Sequence, residues 1–297
     1  MTQPEASRVL RVGLTQFHAT RDIERNVETA CRLVTHAAAE GAQLVLLPEN
    51  CLMLGSNAEM RAEAFRIDSP ALTRVSRSAA ENRVTVVLGG AKFIADEGER
   101  PRNRALIFDP MGRLVGGYDK IHLFDARIDG QSFEASSVEQ AGAGPVVLDI
   151  AGTRVGITIC YDVRFPELYR RLALAGAQVI LVPAAFTRTS GRAHWEVLLR
   201  ARAVENAVFI VASATIGGAE DDAFPTYGHA SVIGPWGEVL ADLGEALEAY
   251  QVVELNIGTI DRVREQLPVL RGVRPDAYVA AVTDYAVTND WEVERRG

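Results

Sequence analysis

GAQLVLLPEN at residues 41–50 decides the fold, because GAQVILVPAA at 176–185 repeats its glycine, alanine, glutamine, leucine and proline in register. Both segments leave a glycine, run through four apolar residues without a polar break, and end on proline. A continuous apolar run of that length is the pattern of a strand buried on both faces, which belongs inside a layered α/β structure. Working outward, VGLTQF at 12–17 is echoed by VGITIC at 155–160, and the turn DPMG at 109–112 by GPWG at 234–237. The echoes keep the same order in each half. Each half is therefore expected to form a mixed sheet with helices on one face. Packed by their bare faces, the halves would form a four-layer α-β-β-α sandwich of two mixed sheets with internal pseudo-duplication.

The intervening text fits that plan. Residues 8–17 read as a strand. Asp22 then caps a helix whose Ile23, Val27, Ala30, Val34 and Ala37 recur every three or four residues before Gly41. Ser69 and Pro70 open a further helix, with a hydroxyl cap and a proline in the first turn. Residues 84–88 and 105–108 read as strands, and Gly89 with Gly90 and Gly217 with Gly218 as strand-end turns. Trp195 and Trp236 are expected to pack. One domain, 8–270, is followed by a tail, 271–297, expected at an oligomer interface.

Composition narrows the function. The chain has 297 residues, 48% hydrophobic and 24% charged, enough for a substantial core. A net charge of -8 offers no basic stripe to displace phosphate counterions, so no nucleic-acid partner is expected. No apolar run approaches the roughly 20 residues that span a bilayer, so no membrane partner is expected either. The start, MTQPEASRVLRV, lacks a secretory pattern, and three cysteines form no even disulfide framework; both features suggest a cytoplasmic setting. There is no HExxH, no CxxC and no phosphate-binding glycine loop, and no metal or cofactor is expected.

The repeat also shows where the halves differ. Glu49 falls opposite Ala184, Cys160 opposite Phe17, and Lys120 roughly opposite Glu245. Cys160 follows VGITI where a helix begins, a junction that exposes a side chain and favours a thiolate; the alternative is a buried structural cysteine. Glu49 closes QLVLLPE at the edge where open α/β sheets bind ligands. Burial there would raise its pKa, as suits a general base; the alternative is a loop or capping acid. Lys120, in GGYDKIHLF, would hold a developing oxyanion or remain a surface charge. Of the five histidines, His122 and His194 are candidates for a Cys-His pair or for structural hydrogen bonds.

Together LLPEN (46–50), YDKIHLFD (118–125), ICYDVRFPEL (159–168), AHWEVLLRARAVEN (193–206) and YGHASVIGPWGEVLA (227–241) resemble the nitrilase superfamily of carbon–nitrogen hydrolases. The resemblance implies the same sandwich and a catalytic set of Glu49, Lys120 and Cys160. Lys120 and the Tyr161 N–H would hold the oxyanion. Glu134, in the shortened QSFEAS segment, would be a second glutamate beside Lys120. The segment at 190–206 is most similar to the omega-amidase and deaminated glutathione amidase branch. That implies an amidase of EC 3.5.1 type, releasing ammonia from the terminal amide of a small acid. The alternative is an N-carbamoyl or other linear-amide hydrolase with the same site. Arg164 would bind the substrate carboxylate with two parallel hydrogen bonds, unless it pairs with Asp162 or Glu167. Arg192 stands where relatives carry proline, so it and His194 are further candidate substrate contacts. The family also implies a homodimer or higher homo-oligomer, with 165–175 and the tail as candidate contacts.

Overall fold

The computed structural model describes residues 8–94, 99–128, 130–217, 225–279, 285–287 and 293–295. Strand β1 (Val9–Phe17) leads to Asp22, whose side chain accepts the Arg25 N–H at the start of α1 (Ile23–Ala39). Gly41 (φ 88°) takes the left-handed turn before β2 (Leu44–Leu46). Helices α2 (Asn57–Ala62) and α3 (Pro70–Asn82) follow. Ser69 occupies the N-cap of α3 without a side-chain cap bond, so Pro70 alone marks that start. Strands β3 (Thr85–Phe93), β4 (Arg102–Phe108) and β5 (Leu114–Asp119) complete the first half. A linking hairpin, β6 (Asp125–Ile128) and β7 (Gln131–Glu134), runs into the one-turn helix α4 (Ala135–Val138).

The second half begins with β8 (Val146–Ile150) and β9 (Thr153–Ile157), then a 3-10 turn (Cys160–Arg164) and α5 (Pro166–Leu174). It continues through β10 (Val179–Leu181), α6 (Arg188–Asn206), β11 (Phe209–Ala212), β12 (Ala214–Thr215), β13 (Ser231–Ile233) and β14 (Val239–Asp242). Strand β15 (Glu248–Asn256) returns to the first sheet, followed by α7 (Gly258–Gln266), α8 (Pro275–Tyr278) and a terminal hairpin, β16 (Tyr285–Val287) and β17 (Val293–Arg295).

The two sheets have the same plan. One runs β15-β1-β2-β3-β4-β5, with the short β12 of the second half added parallel to the end of β1 at Gln16 and Phe17; the other runs β8-β9-β10-β11-β13-β14. Apart from β12, each holds three parallel strands, β1-β2-β3 and β9-β10-β11, flanked by antiparallel neighbours. The register agrees residue for residue: Val12 pairs with Leu44 in the first sheet, and Val155 with Val179 in the second. Even a side-chain bond recurs, from Thr15 Oγ1 to the Leu46 carbonyl (2.6 Å) and from Thr158 Oγ1 to the Leu181 carbonyl (2.9 Å). The turns at 109–112 and 234–237 close alike, by the Gly112 N–H on Asp109 and the Gly237 N–H on Gly234.

Side-chain alternation sorts the layers. Val12, Leu14, Leu44 and Leu46 face a core shared with Val155, Ile157, Val179 and Leu181 of the other sheet. Val45, Leu47, Val86 and Leu88 face the opposite way, under Val27, Val34, Leu72 and Val75 of α1 and α3. Each such fully buried aliphatic side chain contributes about 1.5–3 kcal/mol. No helix among the described residues is long and apolar enough to cross a membrane.

Two readings are corrected. Gly89 and Gly90 lie inside β3, at an irregularity between Leu88 and Ala91, rather than in a strand-end turn. A Cβ at Gly89 would collide with the Pro48 carbonyl, so the glycine admits the turn that follows β2. Trp236 is 59% exposed and does not pack, whereas Trp195 is buried with its Nε1–H on the His229 carbonyl. Gly217 follows the Ile216 bridge, and Gly218 lies outside the described residues.

Candidate active site

The sites that break the repeat converge at one end of the sandwich. Past β2, the Leu47 N–H still bonds to Val87, Pro48 turns the chain, and Asn50 (φ 52°) anchors its N–H on the Gly90 carbonyl. Glu49 projects from this turn and is 3% exposed. Lys120 Nζ and Asn103 Nδ2 both donate to its Oε1, each at 2.8 Å. The Ala185 N–H donates to Oε2 at 2.9 Å. Ala185 belongs to the echo of that same turn, so the second half caps the acid of the first.

Cys160 opens the 3-10 turn and lines the same cavity as Glu49. Its φ of 47° is a left-handed backbone that a non-glycine residue holds only when its surroundings fix it. Here its N–H is held by the Pro183 carbonyl at 2.9 Å. Glu49, Lys120 and Cys160 thus line one cavity, together with Phe124, Phe133, Tyr161 and Phe186.

The protonation pattern differs from the sequence expectation. Burial alone would push Glu49 up, but the Lys120 and Lys92 ammonium groups, with the hydrogen bond from Lys120, outweigh it and hold the carboxyl below its ordinary range. Burial and the neighbouring Glu49 charge push the Cys160 thiol well above the ordinary range, despite Lys120. Burial would lower Lys120, but Glu49, Cys160 and Glu139 raise it, so it remains an ammonium. The resting site is therefore thiol, carboxylate and ammonium, not a preformed thiolate.

The remaining expected contacts divide. Tyr161 and Arg164 line the cavity. Arg164 stacks over Phe186 at 5.0 Å and Tyr161 at 5.9 Å, and its Nη1 lies 3.2 Å from His194 Nδ1. Neither Asp162 nor Glu167 forms an ion pair with it, and His194 braces the arginine. Arg192 lies elsewhere, in a separate surface groove with Gly191, Ala193 and Tyr227. Glu134 also misses the cavity: it is exposed and accepts from Ser132 Oγ. In β7, Phe133 faces the cavity, so strand alternation turns Glu134 away.

Helix α4 then brings Ala135 and Glu139, four residues apart, onto the cavity face. Glu139 is 3% exposed and pairs with Lys92, 7% exposed, at 2.6 Å. Neither residue belongs to a motif. The one signal in the sequence is a lysine inside the apolar run TVVLGGAKF, since a lysine in a buried strand calls for a charged partner.

A cysteine thiol, a carboxylate and an ammonium gathered in one apolar-walled cavity form a thiol-hydrolase arrangement. The profile of the carbon-nitrogen hydrolase family matches residues 11–265. The chain belongs to that family, and it is an enzyme that hydrolyses carbon–nitrogen bonds of amides. It is 38% identical to the deaminated glutathione amidase of Synechocystis sp. (strain PCC 6803 / GT-S), over 86% of this chain and 95% of that one. It is 36% identical to the omega-amidase NIT2 of Homo sapiens, over 90% and 96%. Among solved structures, the C. elegans NitFhit protein matches with a TM-score of 0.85 and 32% identity, over 96% of this chain and 69% of that chain. A mutant of the amidase from Nesterenkonia sp. AN1, whose active-site cysteine carries the acetamide moiety of fluoroacetamide, matches with a TM-score of 0.76 and 26% identity, over 93% and 97%.

Proposed function

We propose that the enzyme cleaves the terminal amide of a small acid, of the α-keto acid amide or deaminated glutathione type, through a thioester on Cys160. The observation that carries this reading is the Glu49 carboxylate, buried against Cys160 and fixed by Lys120, Asn103 and Ala185. Glu49 takes the thiol proton as the carbonyl arrives, and Sγ bonds to the carbonyl carbon. Lys120 and the Tyr161 N–H hold the resulting oxyanion, each such donor being worth about 3 kcal/mol. The tetrahedral species collapses, the C–N bond breaks, and protonated Glu49 returns its proton to departing ammonia. Water, deprotonated by Glu49, then cleaves the thioester and frees the acid and the thiol.

Arg164, at the cavity wall, takes the substrate carboxylate, and His194 keeps its guanidinium in place. Glu139, rather than Glu134, supplies the second carboxylate near Lys120. The protein works in the cytoplasm as a homodimer or higher homo-oligomer, with 165–175 and the 271–297 tail at the contact. Three free thiols fit a reducing compartment, and light scattering at micromolar concentration checks the assembly.

Ammonia release from α-ketoglutaramate, deaminated glutathione, an N-carbamoyl amino acid and a simple nitrile tests the substrate, with Cys160→Ala run alongside. Turnover of either of the first two, absent in the variant, is expected. Turnover of the carbamoyl compound alone, with carbon dioxide, would replace this substrate class. Activity surviving in Cys160→Ala would remove the thioester.

A further inference from the structure

The chemistry above leaves Asp162 without a part, although the residue is fully buried. Its carboxylate is saturated. Oδ2 accepts the Tyr118 hydroxyl at 2.7 Å and the Ile159 N–H at 2.9 Å. Oδ1 accepts the His122 backbone N–H at 3.1 Å and its Nδ1–H at 2.8 Å. A carboxylate has about four lone-pair sites, and all are used.

The donors come from two places. Tyr118 and His122 stand two residues on either side of Lys120, in the first half of the chain. Ile159 immediately precedes Cys160, and Asp162 follows it by two, in the second half. A carboxylate that only capped the 3-10 turn would need the Ile159 bond alone; three of the four bonds instead reach the Lys120 segment. The His122 ring is further fixed by stacking on Phe165, with centroids 3.6 Å apart. Burial and the Asp162 charge push the Tyr118 phenol up, so it remains a donor.

We propose that Asp162 is a positioning residue, a clasp that joins the Lys120 segment to the Cys160 turn and sets the spacing between ammonium and sulfur. The inference rests on the proposed roles of Lys120 and Cys160. Through the clasp, the left-handed backbone at Cys160 and the reach of Lys120 are set by one group.

Two variants test it. Asp162→Asn keeps the volume but turns an amide NH₂ toward N–H donors, and Tyr118→Phe removes one bond while keeping the ring. For each, kcat and KM for ammonia release, melting temperature, and the rate of Cys160 alkylation by iodoacetamide (read by peptide mass spectrometry) are compared with wild type. Displacement of reacting groups by 1 Å costs about a hundredfold, so kcat of Asp162→Asn should fall on that order with KM near wild type. Loss of a single hydrogen bond predicts a fall of about three- to tenfold for Tyr118→Phe. Alkylation of Cys160 should slow in both, while Cys31 reacts as before. Wild-type kcat and Cys160 alkylation in both variants, whatever their melting temperatures, would overturn the clasp. If Asp162→Asn does not fold, Tyr118→Phe decides by the same readouts. If wild type turns over none of the amides, the substrate reading fails by itself, and the alkylation rates still decide the clasp.

Discussion

Replacing Lys92 by methionine removes one member of the buried pair with Glu139. Their side chains are 7% and 3% exposed and 2.6 Å apart, so the buried carboxylate left behind loses its direct partner and keeps only the more indirect pull of the Lys120 ammonium. Breaking such a pair from one side costs about 3–5 kcal/mol, whereas replacing both members by apolar groups is often neutral. Lys92→Met is therefore expected to lower the urea midpoint by on the order of 1–2 M for slopes of about 2–3 kcal/mol per M. The double variant Lys92→Met/Glu139→Leu should recover most of the loss. A second readout is kinetic. Lys92 ranks after burial and Lys120 among the influences on Glu49, and it pulls the carboxyl down. Without it the Glu49 pKa rises. Because Glu49 must be ionised to act as base, the acid limb of kcat/KM should move to higher pH. Equal urea midpoints for the single and double variants, with an unmoved acid limb, would refute the electrostatic reasoning.

Three further outcomes are expected. Arg164→Ala should raise KM for acidic amides by about ten- to 150-fold, the equivalent of a charged hydrogen bond, and leave neutral amides little changed; equal effects on both would remove the carboxylate role. Gly89→Ala should cost about 1–3 kcal/mol through overpacking against the Pro48 carbonyl and lower kcat by shifting Glu49; unchanged melting and turnover would show that the turn yields freely. Glu49→Gln should form no thioester, and it should flatten the pH dependence of stability. The ionised Glu49, held below its ordinary value of 4.5, contributes stability fully above that value and loses it as pH falls through the folded-state pKa. An unchanged stability profile below pH 4.5 in the variant would contradict this assignment.

The two halves were legible because burial on both faces leaves a continuous apolar run, and the run recurs with its glycine and proline intact. Glu49, Cys160 and Lys120 stood out because each interrupts the repeat or ends a strand. Glu134 failed for a local reason: a short hairpin fixes which of two adjacent side chains faces inward, and Phe133 takes that place. Arg192 failed similarly, since one step along a helix turns a side chain through about 100°, here out into another groove. The protonation of Glu49 and Cys160 was not legible either. It depends on burial and on Lys120, 71 residues from Glu49 in the chain, with Lys92 adding to the pull on Glu49, and these groups meet only in the folded site. Trp236 shows the limit of composition, since its turn holds it outward despite its size.

Strand β1 pairs along its whole length with β15, from Val9 opposite Asn256 to Phe17 opposite Glu248. A ribosome makes these partners far apart in time: 256 − 17 = 239 residues separate the end of β1 from the end of β15. At about 5–20 residues per second, that interval is roughly 12–48 s. Throughout it β1 carries an open edge, the kind of strand that recruits another chain. In the finished enzyme β1 is an interior strand; on the ribosome it is a boundary. At this strand the exposure belongs to synthesis alone, and any truncation that removes β15 makes that nascent condition permanent.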